Sequence, residues 1–191
     1  NYWRQRGWTA LRVLELEVAQ AALTQSLAVI ESAPAAFSAV RRAEAQLLLA
    51  DVELLRGQAA AAQSALAKAQ PVLFTEYAPG HSERVGVLLI EVRLLLAAGD
   101  ARAALATLDS ISDQLRDWER GSADDSQHQD AQVARALRAQ ALAVLDDCPA
   151  ALGLFAGPEP ALLLNRRAIW QSAHSAVASL CRHPASTPPS G

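Results

Sequence analysis

Two stretches of this sequence repeat one another, and they decide the fold. LLRGQAAAAQSAL spans Leu54 to Leu66, and LAAGDARAALATL spans Leu96 to Leu108. A shift of 42 residues places Gly57 on Gly99. The other coinciding pairs are Leu54 with Leu96, Ala59 with Ala101, Ala61 with Ala103, Ala62 with Ala104, Leu66 with Leu108, and Leu73 with Leu115. Recurrence at one fixed offset indicates a supersecondary unit that is used more than once.

The repeated residues have a physical role in a hairpin of two antiparallel helices. Glycine permits the tight reversal of the chain between the two helices. Alanine five residues later, at Ala62 and Ala104, leaves room for the facing helix to approach. Leucine four residues further on, at Leu66 and Leu108, then fills the seam between the helices. The stretches therefore predict successive helical hairpins.

The remainder of the chain is also typical of helices. Alanine and leucine dominate the composition, and no stretch shows the apolar alternation of a strand. We therefore predict an all-α fold of about seven helices. The predicted helices cover residues 9–33, 35–56, 58–74, 82–98, 101–118, 129–147 and 161–182, with a kink or break at Pro71, a loop over 119–130 and a broken connector over 148–160.

The repeated residues resemble the tetratricopeptide repeat family. The matching positions in the first unit are Leu49, Ala50, Gly57, Ala62, Leu66 and Ala69, and those in the second are Gly99, Ala104, Leu108 and Ile111. Glu91 stands where the second unit should have a leucine. The spacing of 42 residues is similar to that of the kinesin-light-chain type of these repeats, which is longer than the usual 34.

The resemblance implies a right-handed solenoid of antiparallel helix hairpins. We expect a single domain over residues 1–183, with its clearest repeats in 42–116, degenerate capping helices at 9–33 and 129–182, and a disordered tail at 184–191. Members of this family in bacterial signalling proteins, such as serine/threonine kinases and transcriptional regulators, bind other proteins. The resemblance implies a protein-interaction or regulatory module without enzyme activity and without a cofactor.

The candidate binding site follows from the same offset. Asp51 and Arg93 are 42 residues apart, so they hold equivalent positions and should lie close together. In the family this position faces a concave groove that binds a peptide or a helix. The candidate partner-binding residues are Glu44, Leu47, Leu48, Asp51, Leu55, Leu89 and Arg93. Two alternatives stay open: a partly exposed salt bridge without a partner, and leucines that pack against the first helix and close the groove.

The segment FTEYAPGHSERV, Phe74 to Val85, concentrates polar residues but does not predict catalysis. Neighbours such as His81 and Ser82 point in different directions on a helix, whereas catalytic groups must converge. We interpret the segment as a connector in which Ser82 caps the next helix. His174 follows Trp170 by four residues, which favours packing within the last helix.

Composition excludes several classes of function. The net charge of −3 gives no basic face for nucleic acid, and no apolar run is long enough to span a membrane. The histidines and cysteines show no metal-ligand spacing, so no metal is expected. Cys148 and Cys181 are too few and too far apart in sequence to indicate a disulfide framework, so we predict a buried pair of thiols.

Alternatives to a peptide groove are a homo-oligomerisation domain, in which two copies form a dimer, and a small-molecule sensor. The segment NYWRQRGW at the start interleaves aromatics with arginines, which suits either a packed helix end or the flank of a membrane segment. The chain begins at Asn1 and contains no methionine, which predicts a fragment or a processed chain. We expect a bacterial cytoplasmic domain, or a periplasmic one if a membrane segment precedes it.

Overall fold

A computed structural model describes residues 2–122 and 124–182 of the chain, and these residues fold into α-helices without any strand. The prediction of an all-α fold is confirmed. The helices are α1 (Tyr2–Arg12), α2 (Leu16–Ser32), α3 (Ala39–Leu55), α4 (Ala59–Glu76), α5 (Ser82–Ala97), α6 (Ala101–Ser110), α7 (Ser112–Asp117), α8 (Asp125–Val144), α9 (Cys148–Leu154) and α10 (Leu164–Leu180). A short 3-10 turn at Pro34–Ala36 and a π turn at Trp118–Ser122 lie between them.

The described residues form ten α-helices, so the prediction of about seven was wrong. The predicted helix 9–33 is divided between α1 and α2 by Leu14, which adopts a left-handed backbone with φ of 60°. The predicted helix 101–118 is divided between α6 and α7 at Ile111, and α9 lies within the predicted connector 148–160. Apolar spacing continues across Leu11, Leu14 and Val18, so periodicity alone could not reveal the first break.

The two repeated glycines end their helices in the same way. Gly57 and Gly99 have φ of 76° and 82°, a region that L-residues with side chains rarely adopt. In both turns the next residue bonds back to the helix, with Gln58 N donating to Glu53 O at 2.7 Å and Asp100 N to Leu95 O at 2.9 Å. This pattern is the Schellman motif. The predicted helix ends are confirmed.

Capping residues set several helix starts, with one correction. Asp100 accepts a hydrogen bond from Ala103 N at 3.0 Å and caps α6 as predicted. The N-cap of α5 is His81 rather than Ser82, because His81 Nδ1 accepts from Glu83 N. The Ser82 hydroxyl instead donates to Glu83 Oε2 at 2.7 Å. Ser82 is therefore already the first residue of the helix.

Two other boundaries differ from the prediction. The helix α4 continues past Pro71 and ends only at Glu76. The predicted loop 119–130 is much shorter, because α8 begins at Asp125 and is capped by Asp124 in a capping box with Gln127. The spacing Asp-x-x-Gln carries that signal in the sequence. The predicted disordered tail, residues 184–191, lies outside the described residues.

Helix packing follows the chain order and adds one long-range feature. The helices α1, α3, α5 and α8 lie side by side, each in contact with the next, while α2, α4 and α6 pack between successive members of this row. The last helix, α10, packs along α8 and also reaches α1. Helix α10 therefore lies across the row of α1, α3, α5 and α8.

A disulfide joins Cys148 to Cys181, so the prediction of a pair of buried thiols was wrong. Cys148 is the first residue of α9 and Cys181 caps the end of α10, and their Cα atoms are 5.4 Å apart. Both residues are half-buried. Packing of α8, α9 and α10 against one another closes the sequence separation of 33 residues.

Candidate functional site

A cluster of four charged residues lies where α10 crosses the row of helices. Asp51 of α3 forms an ion pair with Arg93 of α5 through Oδ1. Its other oxygen, Oδ2, accepts a hydrogen bond from Arg166 Nη1 of α10 at 3.2 Å. Arg166 Nε lies 2.8 Å from Asp130 Oδ1 of α8, in an ion pair without hydrogen-bond geometry. We call Asp51, Arg93, Asp130 and Arg166 the ion cluster.

The two carboxylates of the ion cluster differ in their electrostatics. Burial would raise the pKa of Asp51, but the charges and hydrogen bonds of Arg93 and Arg166 outweigh burial and hold this pKa below its usual value. Burial raises the pKa of Asp130, and repulsion from Asp51 adds to the increase, because Arg166 alone does not compensate. Asp51 is therefore the stable anion of the cluster.

A small apolar cavity of about 70 Å³ lies beside the ion cluster. Helices α3, α5, α8 and α10 all contribute to its walls. The lining residues are Leu47, Leu48, Asp51, Gly86, Leu89, Ile90, Arg93, Val133, Arg166 and Ile169. Five of the seven predicted site residues are in this list, so these five side chains converge on one cavity. Helix α10 covers Asp51, Leu89 and Arg93.

A larger pocket of about 300 Å³ remains open between α1, α3 and the start of α5. We call it the Trp8 pocket, and its lining residues are Arg4, Gln5, Trp8, Glu44, Leu47, Leu48 and Glu83. Trp8 is 39% exposed, which is unusual for so large an apolar side chain. Trp8, Leu47 and Leu48 give the pocket an apolar floor, and charged side chains together with Gln5 line its remainder.

Glu44 is fixed in place from two directions. Its Oε1 accepts a hydrogen bond from the Tyr77 hydroxyl at 2.8 Å, and its Oε2 lies 2.8 Å from Arg4 Nη1. Burial, followed by the bond to Glu44, raises the pKa of Tyr77 to about 12. Tyr77 in turn stacks on His81 with ring centroids 4.0 Å apart. The rim of the Trp8 pocket is thus preorganised.

The seven predicted site residues fall into three places. Glu44 lies in the open Trp8 pocket, which Leu47 and Leu48 share with the small cavity. Asp51, Leu89 and Arg93 lie beneath α10. Leu55 lines a separate pocket of about 370 Å³ that also contains Arg93 and Ile169. The predicted groove is therefore not one continuous open surface.

The sequence indicated the contribution of the first helix but not that of the last. It anticipated that the first helix could cover the leucines, and α1 does pack near Leu48 and Leu55. It did not anticipate Arg166 or Ile169, because these residues lie on α10, 115 residues from Asp51 in the case of Arg166. No local pattern marks such a distant contact.

The other candidate residues have structural roles. His174 stacks on Trp170 with ring centroids 5.2 Å apart, as predicted. In NYWRQRGW, Arg12 stacks over Trp8 at 4.5 Å and Arg4 joins α1 to α3. Among the described residues there is no group of three His, Cys, Asp or Glu side chains arranged to hold a metal ion. No helix in the described part of the chain is long and apolar enough to cross a membrane.

Comparisons of this chain with family models, with curated proteins and with solved structures gave no significant match.

Proposed function

We propose that the chain is a protein-interaction module of the tetratricopeptide type, and that it binds a peptide or a helix at the Trp8 pocket. The observation that carries the proposal is the open apolar floor of Trp8, Leu47 and Leu48 beside the fixed carboxylate of Glu44. A preformed apolar pocket with a few oriented polar groups is the usual form of a binding site. The site needs little ordering upon binding, which favours affinity.

The arrangement of the helices supports a solenoid of helical hairpins. The row of α1, α3, α5 and α8 corresponds to the inner helices of such a solenoid, and the Schellman turns at Gly57 and Gly99 repeat at the predicted offset. The ion pair of Asp51 with Arg93 joins equivalent positions of neighbouring units. In this proposal the Trp8 pocket is the open part of the concave groove.

The size of the Trp8 pocket favours a side chain over a drug-sized molecule. Its volume of about 300 Å³ is at the lower limit for ligand pockets. One large apolar side chain of a partner would fill most of it, and Glu44 and Glu83 would face polar groups of the same partner. A small-molecule sensor remains the second alternative, and a thermal-shift screen with apolar compounds tests it.

A peptide library displayed on phage tests the proposed function. Wild-type protein should enrich peptides with a large apolar residue, and Leu48→Glu should abolish this enrichment because it places a charge on the pocket floor. Leu152→Glu is the matched control, since Leu152 is 51% exposed on α9 and lies outside the pocket. Equal enrichment by the wild type and Leu48→Glu would contradict the proposal.

Homo-oligomerisation is a separate candidate, favoured by exposed apolar side chains near the disulfide end. These are Val144, Leu145, Leu152 and Leu180, each between 37% and 51% exposed. Symmetric pairing of two copies could cover them. Light scattering over a range of concentrations tests this candidate, and a monomer at high micromolar concentration would remove it.

The compartment is also part of the proposal. The disulfide of Cys148 with Cys181 supports an oxidising environment, because such bonds are rare in the cytosol. Of the two compartments expected for a bacterial regulatory protein of the kinase or transcriptional-regulator type, the periplasm therefore fits better. Thiol alkylation of the protein in intact cells, followed by a non-reducing gel, would distinguish them.

A further inference from the structure

Helix α10 contacts the row of helices through a surface that combines apolar and polar residues. Its buried residues are Asn165, Ile169, Ala173 and Val177, of which only Ile169 and Val177 are large apolar side chains. Asn165 is 4% exposed, and its Oδ1 accepts no hydrogen bond in the structure. An unpaired buried carbonyl costs free energy. Fully buried large apolar side chains on α10 are therefore few.

Helix α10 also contacts the row of helices through ion pairs of Arg166. Arg166 links α10 to Asp51 and Asp130, and the desolvation of these buried charges offsets part of their attraction. When α10 leaves, Asp51 keeps its pairing with Arg93, and Asp130 gains water. The two carboxylates beneath α10 therefore have a partner or water when α10 is displaced.

The covalent connections restrain α10 at both ends. Residues 155–163, between α9 and α10, form no helix and include Gly157, Pro158 and Pro160. At the other end, Cys181 is bonded to Cys148. Once the disulfide is broken, only the irregular connector ties α10 to the helices that precede it.

We propose that α10 is an internal occupant of the groove, which the Cys148–Cys181 disulfide retains, and that its removal exposes a docking surface for a partner helix. Arg166 and Ile169 show what this surface accepts: an arginine between Asp51 and Asp130, and a branched apolar side chain one turn later against Leu89. The partner is therefore a helix with arginine and isoleucine three residues apart. This inference rests on the proposed function and extends it to the covered half of the groove.

The release step is a thiol–disulfide exchange with a dithiol reductant. A thiolate of the reductant attacks one sulfur of the Cys148–Cys181 bond, and the second thiol of the reductant completes the exchange. Two electrons and two protons pass to the protein, which gains two thiols, while the reductant becomes a disulfide. Both cysteines are half-buried rather than fully buried.

A labelled peptide of residues 161–182, with Cys181→Ser, is the probe. Fluorescence anisotropy should show about tenfold tighter binding to the variant Cys148→Ser with Cys181→Ser than to the oxidised wild type, because the groove is open in a larger fraction of molecules. The same peptide with Arg166→Ala should bind the variant weakly. Equal binding to the oxidised wild type and the variant, or no binding to either, would overturn the proposal.

Hydrogen exchange of the wild type distinguishes local release of α10 from global destabilisation of the protein. Upon reduction of the wild type, the amides of α10 should exchange faster while those of α3 and α5 keep their protection. A uniform loss of protection would mean that the disulfide is only structural and would overturn the proposal. Phage enrichment at the Trp8 pocket by the oxidised wild type is a separate result, so failure of this proposal can be distinguished from failure of the proposed function.

Discussion

Asp51 of α3 and Arg93 of α5 form a buried ion pair across 42 residues of sequence, which is also the offset of the two repeated turns. The side chains are only 8% and 11% exposed. A surface salt bridge of this kind would contribute little, but here Arg166 adds a second cation and α10 covers the pair. The ion pair therefore joins two positions related by the sequence offset and lies beneath α10.

Asp51→Asn should lower the free energy of unfolding by about 3 kcal/mol. Asp51 is the carboxylate that contacts both arginines, so the substitution leaves Arg93 without its ion-pair partner and Arg166 with Asp130 alone. Urea denaturation followed by circular dichroism measures the change. Asp113→Asn is the control, because Asp113 is 88% exposed beside Arg116 and should have almost no effect. Equal effects of the two substitutions would contradict this account.

Asp130→Asn should have the opposite effect and raise the free energy of unfolding at neutral pH. The pKa of Asp130 is raised in the folded state, so above that pKa its ionised carboxylate lowers the free energy of unfolding. This loss disappears as the pH falls towards the ordinary value of 3.8, where the carboxyl group is protonated. The neutral isostere removes the cost.

Urea denaturation at several pH values tests this sign. The gain in unfolding free energy of Asp130→Asn over wild type should be largest at neutral pH and should shrink towards pH 3.8. The folded-state pKa of Asp51 is lowered, so the stability that its ionised carboxylate contributes is lost only as the pH falls below 3.8. A loss of stability in Asp130→Asn at neutral pH would show that its pairing with Arg166 outweighs its desolvation.

Two glycines within helices should respond to alanine in opposite ways. A Cβ at Gly7 of α1 would lie 2.6 Å from Leu23 Cγ, and Leu23 is fully buried in α2. Gly7→Ala should therefore cost about 2 kcal/mol through overpacking. Gly153 of α9 has no atom within 4 Å of an added Cβ, so Gly153→Ala should gain about 0.5 kcal/mol from helix propensity. Thermal unfolding compares them, and a loss in both would contradict the packing argument.

The disulfide predicts a specific thiol count and a stability change. Ellman's reagent should find no free thiol in the denatured, unreduced protein and two after reduction, because both cysteines of the chain are bonded to one another. Loss of a bond that closes 33 residues should cost about 4 kcal/mol in a chain-entropy estimate. Free thiols in the unreduced protein would mean that the bond does not form.

Local chemistry made part of this structure predictable. The glycine turns at Gly57 and Gly99 and the cap at Asp100 depend on bonds between near neighbours, and the sequence shows each of them. The break at Leu14 was not predicted, because the helical spacing of apolar residues continues through Leu14 although its backbone is left-handed. The cap of α8 at Asp124 had a readable signal, the capping box with Gln127, within a stretch that looked too polar to be helical.

The candidate site was predictable only where the repeat offset determined it. Equivalent positions placed Asp51 beside Arg93 and gathered Leu47, Leu48 and Leu89 around one cavity. The partners that close this cavity, Arg166 and Ile169, belong to no repeat that the sequence shows.

The sequence by itself determined an all-helical chain, its main turns and the pairing of Asp51 with Arg93. Backbone hydrogen bonds between near neighbours encode the helices and turns, and the fixed offset relates Asp51 to Arg93. Only the tertiary structure decided that α10 crosses the row of helices, that Cys148 bonds Cys181, and that the predicted groove is half covered. Those features depend on side chains that meet across as many as 115 residues. Their position follows from the packing of the whole chain and from no shorter segment.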